Sequence, residues 1–431
     1  MPSNLNIVHA AHLAKVQDDG SPRRGDRQGE LNLLTDGALA IREGRIAGVG
    51  ETEAVLRKSG DDVPVLDASG MSVLPGLIEC HCHPIFAGRR HGEYARRLQG
   101  ASSREIRAEG GGIWSTILTT REAEDRELLE RAAEAYGQIL AGGVTTLEVK
   151  SGYGLTKDQE LRLLRLLRES ASRTPMDLVF TFLGAHIAPQ DGPTPEGWVR
   201  EVRDEVLPAV LAQGLAEFHD ITCDAEDFSA PLASSLLEDS RRRGIPSRVH
   251  ADASSDSRGW RTAVEGGAVA ADHLTYTPDE EIRAVGATET VAVLLPMAEQ
   301  FYLDPRKANA RLFIQEGVPV AVATDYCSSF QATSLLLTMS MACSWFRLTP
   351  AEAIVAATLN AAYVLKRNHD RGSLDIGKRG DVTILGCAHP DEIGVRIGAP
   401  LVRYVVSQGR VIHQGGQQDD SGHSRGPGSA R

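Results

Sequence analysis

Histidines and one aspartate recur at the ends of short apolar runs in this chain. His81 and His83 close Leu74-Pro75-Gly76-Leu77-Ile78-Glu79-Cys80-His81-Cys82-His83-Pro84, His186 ends Leu183-Gly184-Ala185-His186, His250 lies in Arg248-Val249-His250-Ala251-Asp252, His273 in Ala271-Asp272-His273-Leu274, and Asp325 in Val322-Ala323-Thr324-Asp325. Residues two apart on a strand point to one face, so both rings of His81-Cys82-His83 can reach a single ion. Alone, His-x-His is a weak signal, because neighbouring histidines are commonly surface or packing groups; recurrence at successive strand ends strengthens it. Three neutral imidazoles and a carboxylate, His81, His83, His250 and Asp325, would hold a divalent ion and acidify a water enough to supply hydroxide near neutral pH. His273 then stands beside the ligands, placed to move a proton.

These groups need a scaffold that brings distant strand ends to one mouth. Between about residues 71 and 370, apolar runs alternate with helical stretches, as in Gly143-Val144-Thr145-Thr146-Leu147-Glu148-Val149 followed by a Glu/Leu/Arg-rich helix from about Asp158 to Ser170. Further strands are expected at Leu178 to Gly184, Pro246 to Ala251, Ala268 to Leu274, Thr290 to Leu295 and Pro319 to Thr324. Repeated strand-helix units imply a parallel sheet, and a (β/α)8 barrel converges its C-terminal strand ends on one face. The two chain ends read differently. Gly37 to Ile41 and Arg45 to Val49 flank a hairpin turn at Arg42-Glu43-Gly44, and Asp381 to Leu385, Val402 to Val406 and Val411 to His413 repeat that pattern. The expected fold is therefore α/β: a TIM-like barrel over 71–370, a small composite β-sandwich domain from 1–70 plus 371–414, and a disordered Gly/Ser/Asp/Gln tail over 415–431.

Bulk properties bound the function. A chain of 431 residues accommodates a barrel of about 250 residues and a smaller domain. The net charge of -12, with no basic block, argues against nucleic acid as a partner. No stretch approaches the ~20 apolar residues of a membrane span. Six cysteines in so long a chain make no disulfide framework, and with no leader-like segment over Met1 to Lys15 the expected location is the cytoplasm.

At this point the chain resembles the amidohydrolase superfamily and, more narrowly, the imidazolonepropionases. The resemblance runs from about Val73 to Ala362 and is carried by Phe86-Ala87-Gly88-Arg89-Arg90, Arg97-Leu98-Gln99-Gly100-Ala101-Ser102, Gly110-Gly111-Gly112-Ile113, Glu148-Val149-Lys150-Ser151-Gly152-Tyr153-Gly154-Leu155, Thr181-Phe182-Leu183-Gly184-Ala185-His186, Val249-His250-Ala251-Asp252, Ala271-Asp272-His273-Leu274 and Val291-Ala292-Val293-Leu294-Leu295-Pro296. It implies hydrolysis of the C–N bond of 4-imidazolone-5-propanoate to N-formimino-L-glutamate in histidine degradation, with one zinc or iron ion per chain. It also implies a metal on His81, His83, His250 and Asp325, catalytic roles for His273, Asp325 and His186, and Arg90, Tyr153 and His186 around the substrate. Arg90 would pair with the propanoate carboxylate, Tyr153 would donate to carboxylate or ring, and His186 would donate to the ring oxygen as charge develops there. The partner is then a small molecule with a propanoate side chain, and the expected assembly is a homodimer.

Three positions depart from the family pattern. Glu or Gln is usual three residues after the fifth-strand histidine, where Ala253 stands. After the last aspartate a loop with Asn-Pro-Gly is usual, where this chain has Asp325-Tyr326-Cys327-Ser328-Ser329-Phe330-Gln331-Ala332, one residue shorter. Cys82 replaces a more usual threonine, facing away from the metal. Ala253 removes a polar contact and opens space, so a ring-modified analogue (N-methyl, 2-thioxo or 2-oxo) is the alternative substrate, with Cys327 a candidate contact. The same alanine disfavours deamination, which needs a proton-shuttling glutamate there, and the complete ligand set disfavours a non-catalytic scaffold.

Overall fold

The computed structural model describes residues 3–59 and 62–416. Eight parallel strands, Leu77–Glu79, Val144–Lys150, Asp177–Ala185, Phe218–Cys223, Ser247–Ala251, Ala270–His273, Val291–Leu294 and Val320–Val322, pair in sequence order and curl into a barrel wall. The first and eighth strands meet just past their ends. His83 N donates to Tyr326 O at 2.8 Å, Cys82 bridges Tyr326 in parallel sense, and Thr324 N donates to Glu79 Oε2 at 3.0 Å.

Each strand is buried on both faces, as Val144–Lys150 illustrates with every residue buried, and this is what a parallel sheet clad in helices requires. The expected helix at 158–170 is Lys157–Ser170. Thr156 caps it by accepting from Gln159 N at 3.3 Å, and Leu161, Leu163, Leu164, Leu166 and Leu167 are buried along it. The expected barrel strands lie within one or two residues of their observed bounds. Phe218–Cys223, the fourth strand, is the one the apolar pattern does not reveal. His219 and Asp220 interrupt its apolar run, and the helical stretch before it is broken into Pro195–Glu201, a π-turn at Val202–Val206 and Leu207–Ala212.

The two chain ends complete one mixed sheet, in the order Arg410–Gln414, Val402–Ser407, Val382–Leu385, Ser72–Pro75, Leu5–Ala14, Leu33–Arg42, Arg45–Glu51, with Val65–Asp67 pairing beside Leu5–Ala14. Its hairpin turns at Glu43 and Gly44, with φ of 50° and 77°, the doubly left-handed turn that matches strand twist. Ile7, Leu13, Leu39, Ile41, Val382 and Ile384 form its core. From residue 417 onward the expected tail lies outside the described residues.

Candidate active site

Strand alternation sets the first two imidazoles inside the barrel and turns Cys82 outward into the apolar shell beneath the helices. His81 Nε2 and His83 Nε2 lie 3.2 Å apart, and each is 3.5 Å from Asp325 Oδ1. His81, His83 and His250 each offer a ligand atom within 4.8 Å of the others, and so do His81, His273 and Asp325. His250 directs Nδ1 to Asp220 Oδ1 at 3.1 Å, while its Nε2 is buried without a hydrogen-bond partner.

This arrangement fits a metal ion. Nitrogens bound tetrahedrally at 2.0–2.1 Å stand about 3.3 Å from one another, close to the spacing of the first two imidazoles. Burial, reinforced by neighbouring cations and imidazoles, holds His81 and His83 well below the ordinary histidine range, so both rings are neutral and have a lone pair to give. Burial likewise lifts the Asp325 carboxyl well above its usual range, with Lys150 opposing. An orphaned imidazole nitrogen beside a crowded carboxylate is stabilised by a cation placed between them.

His273 and Asp325 adopt left-handed backbone, with φ of 76° and 54°, and Leu274 follows His273 at 64°. Such angles are uncommon for non-glycine residues, and their clustering at strand ends that supply chemistry marks a site held by its surroundings.

A cavity of about 460 Å³ opens above these groups, lined among others by His83, Arg90, Tyr153, His186, His250 and Asp325. Ala253, His273 and Cys327 also line it, so every residue expected to face the substrate reaches one space. Arg90 is 8% exposed and partly engaged: Nε and Nη2 donate to Glu93 Oε2 at 2.9 and 2.8 Å, and Nη1 to Ser329 Oγ at 2.7 Å. Glu93 therefore already occupies the Nε/Nη2 fork. Tyr153 is buried, its hydroxyl accepts from Ser328 N at 3.4 Å, and burial pushes the phenol up, leaving its proton free to donate. Cys327 is pushed up to about 12 by burial and is a neutral thiol, not a nucleophile.

The contacts of His186 bear on its expected role. Its ring stacks on His83 at 5.2 Å between centroids, and Nδ1 lies 3.0 Å from Gly152 O. Burial brings its pKa down to about 3, so the ring is neutral, and its one proton sits on Nδ1 to meet the carbonyl. Nε2 is thereby an acceptor, suited to an N–H of a substrate and not to a developing oxyanion.

Sequence reasoning missed the charged groups beneath the ligands: Glu79, Glu148, Lys150, Asp220, Arg248 and Asp272 are all 0% exposed. Their signal was present. Glu79 and Arg248 each sit two residues before a candidate ligand histidine, and Glu148 and Lys150 alternate on a strand that carries no other charge. A charged residue in register with a ligand on a buried strand faces the same interior.

Glu299 is a second overlooked group. It lines the cavity, and its Oε1 accepts from Thr275 Oγ1 at 3.1 Å and Ala308 N at 2.9 Å while Oε2 has no partner. Burial pushes its carboxyl up from 4.5 to about 7. A folded-state pKa above the unfolded value means stability that is fully present below about pH 4.5 and lost as pH rises through about 7. Glu299→Gln keeps the Oε1 contacts without the titration, so the variant should gain about 3 kcal/mol on wild type between pH 5 and pH 8.5. Urea denaturation at the two pH values checks this; an unchanged difference would refute the raised pKa.

Comparison with known proteins places the chain. An amidohydrolase family profile matches residues 72–412. The imidazolonepropionase of Symbiobacterium thermophilum is 40% identical over 95% of this chain and 97% of its own length. The chain belongs to the imidazolonepropionase family. Its relative in Geobacillus kaustophilus is 39% identical over 92% of this chain and 95% of that protein, and one in Shewanella baltica 37% identical over 88% and 93%. Among solved structures, an adenosine deaminase from Xanthomonas campestris described with bound zinc superposes with a TM-score of 0.70 at 15% identity, covering 95% of this chain and 93% of that one. A triazine hydrolase variant superposes with a TM-score of 0.70 at 18% identity, covering 96% and 95%. These two share the fold. Among the described residues, no helix is long and apolar enough to cross a membrane.

Proposed function

We propose that this hydrolase opens the ring of 4-imidazolone-5-propanoate to N-formimino-L-glutamate, using one zinc or iron ion per chain on His81, His83, His250 and Asp325. The observation that carries the reading is the convergence of these four side chains, three of them lining a cavity whose wall includes Arg90 and Tyr153. Bound there, the ion supplies Lewis acidity, making water nucleophilic near neutral pH and polarising the ring carbonyl. Asp325 takes the proton as the water oxygen joins the carbonyl carbon. With His273, whose donor atom lies within 4.8 Å of that of Asp325, it returns the proton to the departing ring nitrogen. The C–N bond breaks, leaving a carboxylate and a formimino nitrogen. His186 Nε2 accepts a ring N–H, and Arg90 and Tyr153 hold the propanoate.

The direct test is ultraviolet loss of freshly generated imidazolone-propanoate. Wild type should reach a kcat/KM of about 10⁴ M⁻¹s⁻¹ or more; a value below about 10² M⁻¹s⁻¹ would pass the function to a ring-modified analogue. One observation favours that second reading. Ala253 presents only a methyl to the cavity, beside Ser254, Ser255 and Asp224, where a larger ring finds room. Ala253→Glu should then depress turnover of N-methyl or 2-thioxo substrates while sparing the plain ring.

Arg90→Ala should raise KM about 10- to 100-fold for substrates with a propanoate tail and leave a tail-less ring unaffected. Equal losses for both would show that Arg90 serves only to anchor Glu93 and Ser329. A cytoplasmic location is supported by six unpaired cysteines, five of them buried. A homodimer is the assembly we carry from the family resemblance, and light scattering measures it.

A further inference from the structure

Below the ligands the barrel is filled by charge where such folds ordinarily pack Val, Ile and Leu. Lys150 Nζ lies 2.8 Å from Glu148 Oε2 and 2.6 Å from Asp220 Oδ2. Arg248 Nη1 lies 2.6 Å from Glu148 Oε1, and Nη2 lies 2.7 Å from Asp272 Oδ1. Each aspartate turns its other oxygen to an imidazole: Asp220 Oδ1 is hydrogen-bonded to His250 Nδ1 at 3.1 Å, and Asp272 Oδ2 faces His81 Nδ1 at 3.4 Å without closing a hydrogen bond. Two chains of cation, carboxylate and imidazole therefore share one end, the Glu148 carboxylate. That carboxylate is itself fixed by Thr181 Oγ1, which donates to Oε1 at 2.6 Å, while Arg248 Nη1 is also tied to Cys80 O at 2.6 Å.

We propose that Glu148 is a positioning residue that orients two metal-binding imidazoles at once, His250 through Lys150 and Asp220, and His81 through Arg248 and Asp272. The inference rests on the metal site named above.

Burying five fully enclosed charges costs several kcal/mol per ion after relaxation, and an apolar layer of equal volume is commonly no less stable. What the charges add is definition. A carboxylate held by a cation cannot rotate away from its histidine, so Asp220 keeps the His250 proton on Nδ1 and Asp272 stays aimed at Nδ1 of His81, which turns both Nε2 lone pairs to the site. Among the described residues Glu148 is the only carboxylate paired with both cations, and each of its oxygens serves one of them. Three carboxylates and two cations leave one negative charge, complementary to a divalent ion above. Glu148 is absent from the cavity wall, so its influence on substrate is indirect.

Glu148→Gln is nearly isosteric and retains one acceptor oxygen, enough for one cation but not both. The purified variant and wild type, stripped and reloaded with cobalt(II), are compared by chelator competition and by visible absorption, with Asn360→Leu as control. Asn360 bonds Arg23 O, Gln28 Oε1 and Val320 O in a buried network away from the ligands, so its loss lowers stability alone. The expected result is a cobalt affinity 10- to 100-fold weaker in Glu148→Gln with altered cobalt bands, an unchanged KM, and an unaltered spectrum for Asn360→Leu. Wild-type affinity and bands in Glu148→Gln, with only a lowered Tm, would overturn the proposal. If Glu148→Gln does not fold, Lys150→Met cuts one branch: shifted bands support the relay and unshifted bands overturn it. A wild type that takes up no metal would instead remove the metal site itself, a separate failure.

Discussion

His81→Ala should be isolated without bound metal and with ring-opening activity reduced by about 10⁴-fold or more, equivalent to ~5.5 kcal/mol of barrier. His81 sits at the centre of the cluster. Its Nε2 is 3.2 Å from that of His83 and 3.5 Å from Asp325 Oδ1, and its ring centroid is 4.6 Å from that of His250. Removing it takes away one of three imidazoles and leaves Asp272 Oδ2 facing an empty space, so the remaining ligands lose both number and alignment. Elemental analysis and the ultraviolet assay on the same preparation decide the matter. Full metal occupancy in the His81→Ala protein would mean that the ion sits elsewhere.

Asp325→Asn should lower kcat by about 10³- to 10⁴-fold while KM moves little, because an amide keeps the shape but cannot take a proton from water. Burial raises the Asp325 carboxyl, and a cation would draw it back toward the working range, so its basicity depends on the loaded site. Metal content separates the two roles assigned to this residue. An Asn variant that retains metal and loses kcat identifies the proton carrier. One that loses metal in step with activity shows Asp325 to be chiefly a ligand. Retained kcat would assign proton transfer to His273 alone.

The residues that could hold a metal and the barrel that presents them were legible because both are written in short patterns. A buried parallel strand is a run of apolar residues, and a ligand at its C-terminal end breaks that run at a predictable place. His81 and His83 needed only strand alternation to share a face. The hairpin at Glu43 and Gly44 and the helix at Lys157–Ser170 were equally local, fixed by turn chemistry and by the spacing of leucines. The fourth strand was lost for the same reason the others were found: His219 and Asp220 stand where the pattern demands apolar side chains.

Their cost of burial is met by groups far away in sequence. His219 Nδ1 meets Ser240 Oγ at 2.7 Å, and Asp220 meets Lys150 and His250. Sequence by itself thus determined which side chains could ligate a metal and which strands carry them. Only the tertiary structure decided which imidazole nitrogen is free, that His186 turns Nδ1 to the Gly152 carbonyl, and that Glu148 joins two cations under the site. Each of these depends on a hydrogen bond or ion pair between residues whose proximity is set by barrel closure, and no spacing along the chain encodes a tautomer or a shared proton.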